Sequence, residues 1–210
     1  MTQMTFAQKV LTYHTEDLQP NWKLPEGVDL LYPFAGEDTQ ATMRVFYEKY
    51  FSDNRDRIFV AGINPGRFGA GVTGVPFTGP KMLREECGIE HDFTGRPELS
   101  ADFIYRWINE MGGPDAFYQD FYITSACPLG FTKDGRHYNY YDDKKLEKAV
   151  RPRIIENFDT QLNFGSRREF LLCLGEGKNY KFLKTLNEER GWFGEVIPLS
   201  HPRYVMQYKR

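Results

Sequence analysis

Cysteine is scarce in this chain and badly spaced for any of its usual structural uses. Only Cys87, Cys127 and Cys173 occur in 210 residues. No Cys-x-x-Cys pair exists, so neither a zinc site nor an iron–sulfur cluster is supported. Cys127 and Cys173 lie in apolar runs and read as small core residues. Long hydrophobic runs are also missing: no signal-peptide or membrane-span pattern is present, and a reducing cytoplasm is the expected compartment. Neither sign of charge dominates, with 27 Lys and Arg against 29 Asp and Glu and a net charge of −2. That balance argues against a protein that coats nucleic acid non-specifically, while leaving room for a local basic patch. Repeats, low-complexity stretches and linkers are absent. Residues 1–210 are therefore read as one domain, with 1–38 a helix and an extended segment packed on it.

What is present is an alternation of strands and helices, with aromatic residues in plenty: 17 Phe and 13 Tyr. Residues 1–17 contain a short helix, and 19–35, punctuated by Pro and Gly, read as extended or looped. Residues 39–51 carry Met43, Phe46, Tyr47 and Tyr50 at helical spacing, with Asp38 or Thr39 as the cap. A strand follows at 57–63. A helix begins at 80–87, 88–99 is loop, and 100–111 is a helix capped by Ser100 and stopped by Gly112-Gly113-Pro114. The second strand is 121–126, followed by a polar, aromatic-rich loop at 131–141. Residues 142–164 form a long helix in which Pro152 predicts either a kink or two helices in series. A third strand at 169–174, a helix at 178–190 and a fourth strand at 195–199 complete the pattern. Short apolar strands alternating with helices imply an α/β fold: a three-layer α/β/α sandwich around a central four-stranded, mostly parallel sheet.

The most informative stretch is 62–77, Gly62-Ile63-Asn64-Pro65-Gly66-Arg67-Phe68-Gly69-Ala70-Gly71-Val72-Thr73-Gly74-Val75-Pro76-Phe77. The first strand ends here and Gly, Pro and Asn replace the apolar pattern, delivering Asn64 to the rim of the sheet. Open α/β sheets bind their ligands at that rim, beyond the carboxyl ends of the strands. A generic Gly-rich turn that merely packs a helix on a strand is the plain alternative. The stretch lacks the Gly-Lys-Ser/Thr ending of a P-loop, and Pro65 and Arg67 interrupt a dinucleotide fingerprint.

The Gly-Ile-Asn-Pro-Gly start and the Thr-Gly-Val-Pro-Phe end, at this spacing, resemble the first motif of the uracil-DNA glycosylase superfamily. The resemblance is to its single-strand-selective monofunctional branch. It implies that Asn64 is the catalytic asparagine and Phe77 the aromatic that stacks on an extruded base. Backbone groups near Ile63, Gly66 and Phe77 would hold the base edge, with Arg67 and Phe68 flanking the pocket. Some members of the superfamily carry a four-cysteine cluster; this chain has too few cysteines for one, and no cofactor or metal is called for.

A parallel sheet carries Asn64, residues 125–128, Gly175 and His201 to one edge. In Leu199-Ser200-His201-Pro202-Arg203 the His-Pro pair resembles the start of the superfamily's second motif. By that resemblance His201 would hydrogen-bond the departing base. The residues after it, including Arg203, Tyr204, Met206, Gln207 and Lys209, would form a DNA-binding wedge with positive charge for phosphates. The motif here is shorter than the branch pattern, and the chain ends at Arg210 without the closing helix that the branch suggests, so truncation there is an open reading. Cys127-Pro128-Leu129 matches a third motif, but Ser125 stands where the branch has an asparagine. One hydroxyl does not reproduce the donor and acceptor of an amide. Uracil remains the expected base, and xanthine or hypoxanthine become possible substrates. Lys133, Arg136 and His137 either touch phosphate or simply solvate their loop.

The resemblance thus implies a monofunctional DNA glycosylase acting as a monomer on DNA that contains a deaminated base. Three rivals stand beside it. The same pocket could recognise damaged DNA without cleaving it. Ser125 could be a nucleophile with His201 as base, although no Gly-x-Ser-x-Gly elbow or acidic partner supports this. A small-molecule binding protein of the same fold is the third.

Overall fold

The computed structural model of the protein describes residues 3–208, so Lys209 lies outside the described residues. The chain opens with α1 (Phe6–Thr12). Its cap is reciprocal: Gln8 N–H donates to the Thr5 hydroxyl, and Thr5 N–H to the Gln8 side-chain oxygen. A wider helical turn, Tyr13–Asp17, continues it. The segment read as extended or looped contains β1 (Val28–Leu31) and a tight turn, Pro33–Ala35. Next comes α2 (Glu37–Phe51), which buries Met43, Phe46, Tyr47 and Tyr50 as their spacing predicts. It starts earlier than expected, so Gly36, not Asp38 or Thr39, sits at its cap.

After β2 (Arg57–Gly62), the Gly-rich stretch folds into loop and a single turn, α3 (Ala70–Thr73). Then follow α4 (Pro80–Glu85) and α5 (Leu99–Glu110), with Glu98 rather than Ser100 at the α5 cap position. Gly112-Gly113-Pro114 does more than stop α5. Gly113, at φ 87°, reverses the chain, and Pro114 begins a further helix, α6 (Pro114–Asp120), where its missing N–H costs nothing. It leads directly into β3 (Phe121–Ser125).

The loop expected at 131–141 is a hairpin of β4 (Gly130–Lys133) and β5 (Arg136–Tyr138). Its turn is Asp134-Gly135, both at positive φ (50° and 68°), as a two-residue hairpin turn requires. Then α7 (Lys144–Gln161) runs through Pro152 as one helix. The Asp143 carboxylate accepts the Lys145 and Leu146 N–H groups at its start. The last elements are β6 (Ser166–Leu174), α8 (Lys178–Arg190), β7 (Glu195–Leu199) and α9 (Pro202–Tyr208).

β2, β3, β6 and β7 form the main sheet in the order β3-β2-β6-β7, parallel throughout and flanked by helices, as the sequence pattern implied. A second sheet, β1-β4-β5, is antiparallel and was not anticipated. Gly62 pairs with Ser125 and Leu174 with Leu199, so the main strands end at one level. Their apolar residues, among them Phe59, Val60, Tyr122, Leu171, Cys173 and Val196, join one buried cluster with the helix faces. All three cysteines are buried and free. No helix among the described residues is long and apolar enough to cross a membrane.

Candidate active site

The common level of the strand ends creates a cleft of about 720 Å³ along that edge of the sheet. Each strand contributes to it. β2 supplies Ile63 and Asn64 just past its end, β3 supplies Ser125, the turn after β6 supplies Gly175, and the turn after β7 supplies His201. Gly66 and Phe77 line it from the Gly-rich stretch, and Arg203 and Tyr204 from the start of α9.

Asn64 is held at both ends of its amide. Its Oδ1 accepts the Tyr140 N–H at 3.1 Å, and its Nδ2 donates to the Tyr138 carbonyl at 3.3 Å. Both partners follow from the unanticipated hairpin, which brings the backbone at and just past the end of β5 over the end of β2. An amide oxygen has two lone pairs and an amide nitrogen two protons. One of each therefore remains for a ligand.

Phe77 is a non-glycine residue at φ 55°, a conformation that bulky side chains avoid. Such strain persists where the surroundings impose it, commonly at binding sites. Here the ring lies against Gly62, where any side chain would collide with it. Half-buried, Phe77 presents the rest of its surface to the cleft.

His201 is also half-buried. Its Nδ1 accepts the Arg203 N–H at 3.3 Å, which places the proton of the neutral ring on Nε2. Burial, and then the positive charge of Arg203, lower its pKa below the ordinary imidazole value, so the ring is neutral at pH 7. Ser125 is 7 % exposed and forms part of the cleft wall as a small hydroxyl.

The residues expected to form the wedge are helical. Residues after His201 form α9, which packs on α5. Met206 faces inwards at 8 % exposure, which corrects its expected place on the DNA surface. Gln207 is exposed on the helix but lies outside the cleft lining. Tyr204 is 49 % exposed at the cleft edge, with its ring 5.3 Å from that of Tyr208. His137 lines the cleft, whereas Lys133 and Arg136 do not.

Several residues that support the site were not singled out from sequence. Asn179, in the first turn of α8, is buried. Its Nδ2 lies within reach of the carbonyls of Gly62 and Leu174, 3.3 Å from each, and its Oδ1 accepts the Tyr140 hydroxyl at 2.8 Å. One side chain thus ties β2, β6 and the hairpin together. Asn157 of α7 performs the same task for β3: its Nδ2 approaches the carbonyls of Ser125 and Ala126 at 3.4 Å, and its Oδ1 accepts the Tyr13 hydroxyl at 2.6 Å. Glu98 reaches into the Gly-rich loop, and its carboxylate accepts the Gly69 N–H. Burial raises its pKa, opposed by that hydrogen bond and by Arg203.

The conjunction of a parallel sheet, an amide and an imidazole at its strand ends, and a strained aromatic lining the same cleft defines a class. A sequence model of the uracil DNA glycosylase superfamily matches residues 48–210, and the chain belongs to that superfamily, in its SMUG-like branch. Among solved structures it is similar to wild-type SMUG2 from Pedobacter heparinus. The two share 46 % sequence identity with a TM-score of 0.95, over 99 % of this chain and 91 % of the other. The activity that this membership supports is that of a DNA glycosylase of the uracil-DNA glycosylase type, a hydrolase of DNA repair.

Proposed function

We propose that this chain flips a deaminated base, uracil foremost, out of DNA and hydrolyses its N-glycosidic bond, leaving an abasic site. The observation that supports this most is the convergence of Asn64, Phe77 and His201 on one cleft from distant parts of the chain. A base within a stack is unreachable until it is extruded. Phe77 then offers a face for the extruded base, and the backbone near Ile63 and Gly66 offers polar groups for its edge.

As the bond to C1′ lengthens, positive charge grows on the sugar and negative charge on the base. The His201 Nε2–H donates to the base carbonyl oxygen where that negative charge collects. Because its Nδ1 is already occupied by the Arg203 N–H, the donor is in place before the reaction starts. The free lone pair of Asn64 Oδ1 orients the water that attacks C1′. An amide is too weak a base to remove the proton early, so its contribution is position rather than basicity. The two backbone bonds to the amide supply that position.

The test is base release from oligonucleotides carrying uracil, hydroxymethyluracil, xanthine or hypoxanthine, read by alkaline cleavage. Asn64→Ala and His201→Ala should each slow release by roughly 10²–10³-fold. Rates like wild type in both would sink the assignment. Ser125 favours a second reading on specificity: a short hydroxyl in the cleft wall leaves room for xanthine or hypoxanthine beside uracil. The same panel decides between them.

We also propose that no strand cleavage follows. The matched motifs contain no lysine, but Lys178 lines the cleft, its Nζ 5.6 Å from the centre of the Tyr141 ring. A lysine acting as nucleophile would form an imine with the sugar, and borohydride would trap it on DNA. The monofunctional reading requires that no trapped complex forms and that strands break only after alkali.

A further inference from the structure

We infer that Phe68, with Arg67 and Arg96, forms a second nucleotide subsite, which holds the base and phosphate next to the extruded nucleotide on the same strand. The inference rests on the reading of the cleft as a DNA site.

Phe68 is a large apolar side chain left 38 % exposed at the cleft edge, where a packing role would have buried it. Its ring is attended by two guanidinium groups. Arg67 Cζ lies 4.9 Å and Arg96 Cζ 5.9 Å from the ring centre. Both guanidinium groups lie over the ring, so an incoming base stacks on the π surface by taking the place of the more distant one, Arg96, which is then left to meet the phosphate. The cleft, at about 720 Å³, also extends well beyond one base and its sugar.

The ring is held ready rather than floating. On one side the Glu98 carboxylate fills the space left by Gly66 and Gly69, which bracket Phe68, and accepts the Gly69 N–H. A Cβ at Gly66 would sit 2.9 Å from Glu98 Oε1, so the bare backbone there is what admits the carboxylate. Gly95 also approaches the Phe68 carbonyl, with 3.3 Å between that oxygen and a Cβ placed on Gly95. On the other side Arg67 Nη1 donates to the Gly135 carbonyl in the hairpin turn. Both walls of the loop are therefore fixed, and Phe68 lies in the same short loop as Asn64. A base stacked at Phe68 would set the position of its neighbour at Asn64.

The experiment measures binding of single-stranded oligonucleotides, with and without uracil, by fluorescence anisotropy across a salt series. Phe68→Ala should weaken binding of both roughly 5- to 100-fold, the range of one lost base stack, and Phe68→Trp should restore it. Arg96→Ala should lower the salt slope by about one phosphate contact. KM for the uracil-containing oligonucleotide should rise in Phe68→Ala. If Phe68→Ala melts like wild type and binds both oligonucleotides equally well, the subsite is refuted while base release stands. Should the wild type release no base from any oligonucleotide, yet lose affinity on Phe68→Ala, the subsite survives and the glycosylase reading falls. A wild type that binds no DNA at low salt overturns both.

Discussion

The ring of Phe77 rests on the bare backbone of Gly62: a Cβ at position 62 would lie 2.9 Å from Phe77 Cε2 and 3.0 Å from its Cζ. Gly62 is the last residue of β2, so its place is fixed by the sheet and the ring must be what moves. Gly62→Ala should therefore displace the proposed stacking face without touching Asn64 or His201. We expect KM for a uracil-containing oligonucleotide to rise about 10-fold or more, since base–aromatic stacking contributes roughly 1–3 kcal/mol. Steady-state kinetics read the change, and an unaltered KM would show that the ring does not carry the base.

Arg203 acts on His201 in two ways that can be separated. Its backbone N–H fixes the tautomer, and its side-chain charge helps to hold the imidazole neutral. Arg203→Ala keeps the first and removes the second. The His201 pKa, lowered mainly by burial and next by this charge, should then move up towards the ordinary value without reaching it. Titration of the ring followed by NMR reads both proteins directly. A pKa that fails to rise in the variant, or a wild-type pKa at or above 6.5, contradicts the electrostatic account.

The main sheet was legible because its strands and helices are punctuated by local signals. Gly175 and Gly191 bracket α8, and the expected ranges of α8 and β7 match the observed ones. The hairpin of β4 and β5 was missed although Asp134-Gly135 is a strong turn signal. Its strands are short, and Arg136 and His137 are exposed, so no alternating apolar face marks them. That omission hid the partners of Asn64, because Tyr138 and Tyr140 act through backbone atoms that carry no residue signature. Glu98 and Asn179 were likewise invisible. Each owes its role to loops distant in sequence that the fold brings against it. Met206 illustrates the reverse error: a residue assigned to a surface from its motif position is buried once α9 lies on α5.

Arg57 is the one cation of the described residues among the large fully buried side chains. Its guanidinium lies against both rings of the stacked Phe6–Phe51 pair, with Cζ 4.8 Å and 4.7 Å from their centres. It donates to the carbonyls of Tyr118 at 2.7 Å, Arg55 at 3.1 Å and Tyr50 at 3.4 Å, and it pairs with Asp53. Asp53 is 37 % exposed and regains water if its partner is lost, so the ion pair is the lesser part. The orphaned carbonyls are the greater part. Arg57→Met should thus destabilise by about 2–4 kcal/mol, and Asp53→Asn by roughly 1 kcal/mol or less, in urea melts. The opposite ranking would show that charge, not carbonyl satisfaction, keeps Arg57 in the core.

His14 gives the fold an acid-sensitive point outside the cleft lining. The ring is 6 % exposed, tilted against Phe34, with Nδ1 donating to the Val10 carbonyl at 2.8 Å. Burial lowers its pKa from 6.5 to about 4 against the smaller opposing effect of that bond. Between those two values the unfolded chain binds a proton that the folded chain refuses, so stability rises with pH across the window. Above pH 6.5 the contribution is complete; as pH falls towards 4 it is lost, an effect on the order of 3 kcal/mol. His14→Phe removes the titration while keeping an aromatic ring at the site. Urea midpoints measured at several pH values from 7.5 to 4 should fall more steeply for the wild type than for the variant. Parallel curves would mean that other groups account for the acid sensitivity of the fold.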